Sequence, residues 1–137
     1  PRRLVTIRYL LDTNAASAIL RQQEPVCARA ASVPLSSLAI SSVTAGEMHY
    51  GLAKRPQATT LAKLVREFLR YTDILPWSDT IAPHYGTLRA ALEAKGVTIA
   101  PLDLMIAAHA LAIDATLVSA DQALSMIDIL KVEDWSI

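Results

Sequence analysis

Cysteine is almost absent: Cys27 is alone among 137 residues. One thiol excludes a disulfide framework and a cysteine-based zinc site, and it suits a reducing compartment such as the cytoplasm. No apolar run approaches the roughly 18 residues that cross a bilayer, which argues against a membrane protein. The opening stretch PRRLVTIRYLLDTN is basic and then apolar, in the manner of a signal peptide. Arg8 interrupts that run and no small-residue cleavage site follows, so a strand is expected there instead. Low-complexity segments, charge blocks and internal repeats are missing. The three histidines, His49, His84 and His109, lack metal-ligand spacing to one another and are assigned to surface or core. Cys27 has no base nearby in sequence and does not read as a nucleophile.

What is present is apolar. The chain is 53% hydrophobic and 19% charged, enough for a sizeable core, and its length fits one domain over residues 1–137. Net charge is zero but unevenly spread. Residues 1–70 hold ten Lys and Arg against four Asp and Glu, and residues 71–137 hold three against nine. If sequence halves are also spatial regions, that pattern provides a face for an anionic partner and a separate acidic site.

Strands are expected at about residues 4–11 and 37–42, and in the segments DILPW, TLVSA and ILKVEDW. Helices are expected at about residues 14–21, after Pro25, in VTAGEMHYGLAKR and in the amphipathic ATTLAKLVREFLRYT. Two more are read in SDTIAPHYGTLRAALEAKG, closed by Gly96, and in PLDLMIAAHALAIDA, opened by Pro101. Apolar strands alternating with helices predict a parallel sheet wrapped by helices.

Four acids stand at marked places in this plan. Asp12 follows the first strand in LLDTN, Glu47 lies one turn into the helix after the second, and Asp121 follows TLVSA. Asp103 sits in the first turn of the helix before that last strand. Each has an ordinary alternative. Thr44 and Glu47 can form a capping box, Asp103 favours the positive end of a helix dipole, and Asp121 can cap QALS. Position argues for more, because a parallel sheet carries all its strand carboxyl ends to one edge, where open α/β folds place their sites. Asp103 also tops a stripe with Ile106, Ala107 and Ala110, a core-facing line with no Lys or Arg to neutralise it. Crowded carboxylates repel one another, and a hard divalent cation resolves the repulsion by taking oxygen ligands. Such an ion activates water for attack on a phosphodiester.

The motifs resemble the PIN-domain ribonucleases, and within them the VapC toxins of type II toxin–antitoxin systems. LLDTN looks like the family's first motif, ISSVTAGEMHYGLAK its second, PLDLMIAAHALA its third and TLVSADQAL its fourth, with LKVEDW as the usual ending. The resemblance spans nearly the whole chain in the right order. It implies a three-layer α/β/α domain with about five parallel strands, and Mg²⁺ or Mn²⁺ held by Asp12, Glu47, Asp103 and Asp121 as the catalytic set. It also implies cleavage of structured RNA, tRNA above all, homodimers, and control by a cognate VapB antitoxin in the cytoplasm. Three residues depart from the usual pattern: Gly46 for a bulkier apolar residue, Ser119 for Thr and Leu124 for an aromatic.

Thr13 and Asn14 are candidates to support the site by hydrogen bonds or to cap the following helix. Lys54, Arg55, Lys63, Arg66 and Arg70 are candidates to hold RNA phosphates; the last three share one polar stripe at spacings of three and four. Two other classes stay open on the residues alone. One is an aspartyl-phosphate phosphatase or receiver domain, although the phosphatase pattern wants an acid where Asn14 stands. The other is a non-catalytic RNA- or protein-binding module whose acids merely cap helices.

Overall fold

The computed structural model describes residues 6–137. Five parallel strands form one sheet in the order β3-β2-β1-β4-β5. They are β1 (Tyr9–Leu11), β2 (Leu38–Ser41), β3 (Asp73–Leu75), β4 (Thr116–Val118) and β5 (Val132–Glu133). The six α-helices are α1 (Thr13–Leu20), α2 (Val26–Ala31), α3 (Ser42–Lys54), α4 (Thr59–Tyr71), α5 (Ala82–Ala94) and α6 (Pro101–Ala112).

Alternation along the strands sorts the two faces. Leu10, Ala39 and Leu117 pack with Leu88 and Leu92 of α5 and Leu104, Ile106 and Ala107 of α6. Their neighbours Leu11, Ile40 and Val118 pack on the opposite face with α1, α3 and Val65 of α4. The result is helix, sheet, helix, with both sheet faces covered as the continuous apolar strands require. Each of the fully buried Leu and Ile side chains contributes about 1.5–3 kcal/mol by leaving water.

Several boundaries differ from the expectation, each for a local reason. The first strand is expected from residue 4, and residues 4 and 5 lie outside the described part; the strand pairing begins at Tyr9. The fifth helix begins at Ala82 rather than at residue 78. Pro83 fits its first turn, while residues 78–81 make a separate hydrogen-bonded turn, with Ile81 N–H donating to the Ser78 carbonyl at 3.0 Å. The sixth helix stops at Ala112 because Asp114 takes φ of 55°, which breaks the helical path. Gly96 closes α5 at φ of 74°, the left-handed position that favours glycine. TLVSA and ILKVEDW supply shorter strands than their length suggests, three and two residues.

Register decides what stands at the carboxyl edge. Leu11 pairs with Ile40 on one side and Val118 on the other. The next residues, Asp12, Ser41 and Ser119, therefore form one polar row just beyond the apolar one. All three are buried.

Candidate functional site

The row supports the four acids. Asp12 caps α1, and its carboxylate accepts from the Ala15 amide at 2.8 Å. Glu47 is carried by α3, whose start is capped by Ser41, whose hydroxyl oxygen accepts from the Val43 amide at 3.2 Å. The alternative capping box between Thr44 and Glu47 does not form. The helix already begins at Ser42, so Thr44 lies inside it and is fully buried. Glu47 turns instead to α1 and accepts from the Thr13 hydroxyl at 2.5 Å. Thr13 thus holds Glu47, while Asp12 rather than Thr13 or Asn14 caps the helix. Asn14 is exposed.

Asp121 does cap the 3-10 turn Gln122–Met126, accepting from the Ala123 amide at 3.0 Å. Its own amide donates to the Ser119 hydroxyl at 3.1 Å, which ties the Asp121 backbone to the row of Asp12. Asp103 stands in the first turn of α6, half-buried above the buried Ile106, Ala107 and Ala110, as the stripe predicts.

Their charges feel one another. Burial pushes the Asp12 carboxyl above its ordinary range; the Ala15 amide and the Ser119 hydroxyl oppose this, and Asp121 and Glu47 add to it. Asp103 is also raised, first by burial and then by Asp121, Glu47 and Asp12. The ion pairs among the described residues involve none of the four acids. Four oxygen-donor side chains with uncompensated charge fit a hard divalent cation. Among the described residues no three of these groups stand close enough to hold an ion as they are. Local amides and the Thr13 hydroxyl each hold one oxygen of Asp12, Glu47 and Asp121.

The basic residues divide. Arg55 lines the groove that contains Thr13 and Glu47, whereas Lys63, Arg66 and Arg70 are exposed on α4 and do not. Lys54 ends α3 with its ammonium 4.8 Å from the Tyr50 ring. Gly46 is exposed on α3, and a Cβ there would meet nothing within 4 Å, so the helix holds without the bulkier residue. Leu124 is buried and fills its place in the core. Burial, with the nearby Glu24 charge, also raises the pKa of the half-exposed Cys27 thiol.

Three supporting residues escape sequence reasoning. Ser119 looks like a strand residue, and only register puts it beside Asp12. Arg21 joins Arg55 in the groove, although nothing in the sequence relates them. His109 is almost fully buried, and its Nδ1 lies 2.8 Å from the Ser41 hydroxyl, which links the Asp103 helix to the strand that leads to Glu47. Burial lowers its pKa. The unfolded chain therefore binds this proton near the ordinary value of 6.5 while the folded chain resists it, so this contribution is complete above pH 6.5 and is lost on acidification. His109→Gln is expected to melt below wild type at pH 7.5, with the gap narrowing by pH 5. Melting curves at the two pH values check this, and a gap independent of pH contradicts it.

A family model described as PIN domain matches residues 9–130. A ribonuclease VapC2 from Rickettsia felis is 36% identical over 101 residues, covering 73% of this chain and 75% of that one. A tRNA(fMet)-specific endonuclease VapC from Shigella flexneri is 28% identical over 131 residues, covering 95% and 99%. Among solved structures, VapBC2 from Rickettsia felis bound to a DNA fragment from its promoter aligns with TM-score 0.86 at 30% identity, covering 94% of this chain and 99% of that chain.

Proposed function

Because the chain belongs to the PIN-domain family and, within it, to the VapC ribonucleases, we propose that it is the toxin of a type II toxin–antitoxin module and a metal-dependent endoribonuclease. The observation that carries this reading is the convergence of Asp12, Glu47, Asp103 and Asp121 at one sheet edge, with Asp12 buried and, among the described residues, no cationic side chain paired to any of them.

These four would hold Mg²⁺ or Mn²⁺. When bound, such an ion polarises a phosphodiester, activates water and stabilises the leaving oxygen. The chain's own groups prepare the set. Thr13 fixes Glu47, the Ala15 amide fixes Asp12, and Ser119 with the Ala123 amide fixes Asp121. His109 and Ser41 keep the Asp103 and Glu47 elements in register.

The substrate class carried over from the Shigella flexneri relative is structured RNA, tRNA above all. The cationic side chains Lys54, Arg55, Lys63, Arg66 and Arg70 hold its phosphates. The partner is a VapB-type antitoxin in a hetero-oligomer, by likeness to the VapBC complex, and the toxin itself is proposed to pair as a homodimer. An apolar groove of about 320 Å³ between α1 and α4, with Leu35 and Tyr71 exposed at its rim, offers area for an antitoxin tail. No described helix is long and apolar enough to cross a membrane; the cytoplasm, where tRNA resides, is the proposed place of action, and residues 1–137 are proposed to act as one domain.

Metal binding tests the reading directly. Asp12 and Asp103 keep their protons to higher pH than ordinary carboxylates, and an ion enters only as those protons leave. Calorimetry is expected to find Mn²⁺ bound at pH 7.5, more weakly at pH 5, and not measurably by Asp103→Asn. Equal Mn²⁺ affinity in wild type and Asp103→Asn overturns the site.

A further inference from the structure

A groove of about 140 Å³ runs between α1, α3 and α4, and it joins two opposite charges. Thr13 and Glu47 line it at the carboxylate edge, and Arg21 and Arg55 line it at the other end, over an apolar floor that includes Met48 and Val65. A second hollow over the start of α4, about 430 Å³, shares Arg21 and prolongs the path. Both arginines owe their place to the same geometry. Arg21 follows the end of α1 eight residues after Thr13, and Arg55 follows the end of α3 eight residues after Glu47. At 1.5 Å per residue each lies about 12 Å along its helix from the carboxylate end. Arg21 Nε donates to the Ser17 hydroxyl at 3.2 Å, which sets the direction of its guanidinium. Among the described residues neither arginine is ion-paired.

An edge of four carboxylates repels a polyanion, so affinity for RNA must come from cations outside it. The groove supplies them on a surface that reaches Glu47 itself. Lys63, Arg66 and Arg70 stand outside it, exposed on α4. We propose that Arg21 and Arg55 form a phosphate clamp that seats the RNA backbone in this groove, two helical turns from the bond to be cut. The planar guanidinium forks suit paired bonds to phosphate oxygens, and the apolar floor suits ribose. The clamp rests on the ribonuclease reading and adds to it where the strand lies.

The test is a salt titration of binding to an initiator tRNA transcript, using the full chain with Asp12→Asn to block cleavage. Each phosphate contact contributes about 0.7–0.9 to the slope of log affinity against log salt. Arg21→Gln with Arg55→Gln is expected to lower the magnitude of that slope by about 1.4–1.8, and Arg21→Lys with Arg55→Lys to keep it. An unchanged slope in the Gln pair, or no measurable binding before those changes, overturns the clamp. An unchanged slope with weakened binding to the cognate antitoxin overturns it too and gives the groove to a protein partner. Cleavage is scored separately on the chain with Asp12 intact. RNA bound through the clamp but never cut overturns the ribonuclease reading alone; RNA cut with an unchanged slope overturns the clamp alone.

Discussion

Asp12→Asn, Glu47→Gln and Asp103→Asn are each expected to lower RNA cleavage by at least about 100-fold, the scale on which catalytic electrostatics fail when a key group is lost. The chain is expected to stay folded. Asp12 is buried and its charge is opposed by burial and by Asp121 and Glu47, so an uncharged isostere relieves strain that the native chain carries. In metal-free buffer Asp12→Asn should therefore melt no lower than wild type. Asp121→Asn should cost less, about 10-fold, because Asp121 is exposed and also serves as a cap that Asn fills. Cleavage rates at saturating Mn²⁺ together with melting curves measure both halves of this expectation. Wild-type cleavage by Asp103→Asn would remove the site.

The second large effect concerns the antitoxin. An edge of uncompensated carboxylates accepts a guanidinium or ammonium as readily as a metal ion, so an antitoxin tail that inhibits by plugging the site should place an Arg or Lys among Asp12, Glu47 and Asp103. Replacing that side chain by Ala leaves the acids unpaired in the complex. Losing one partner of a buried charge pair costs about 2–5 kcal/mol, or about 30- to several-thousand-fold in affinity. Cleavage should return at antitoxin levels that silence the native toxin. Mn²⁺ binding to the complex separates the mechanisms: a plugged site binds none, and a tight complex that binds Mn²⁺ like the free toxin contradicts the plug.

The plan of the fold was legible because its signals are local. Strands such as TLV and LAIS are continuous apolar runs, Gly96 and Pro101 punctuate helices, and the acids fall just past the strands or one turn into a helix. What escaped depends on register and on helices meeting. The capping box at Thr44 and Glu47 satisfies every sequence rule, yet Ser41 starts the helix earlier and Thr13, 34 residues away in sequence, takes Glu47. His109 looks inert beside Asp103 because its partner, Ser41, lies 68 residues distant. Arg21 and Arg55 become a pair only once α1 and α3 run side by side from the same edge. The uneven charge of the two sequence halves does not divide the site, whose four acids come two from each half.

Cleavage of initiator tRNA by the purified chain, with the products mapped to single nucleotides, tests the central claim most directly. The carboxylate site predicts defined cuts with Mg²⁺ or Mn²⁺, none with EDTA, and none from Asp12→Asn prepared in parallel. Cuts that persist in EDTA, or that Asp12→Asn makes equally well, would contradict it.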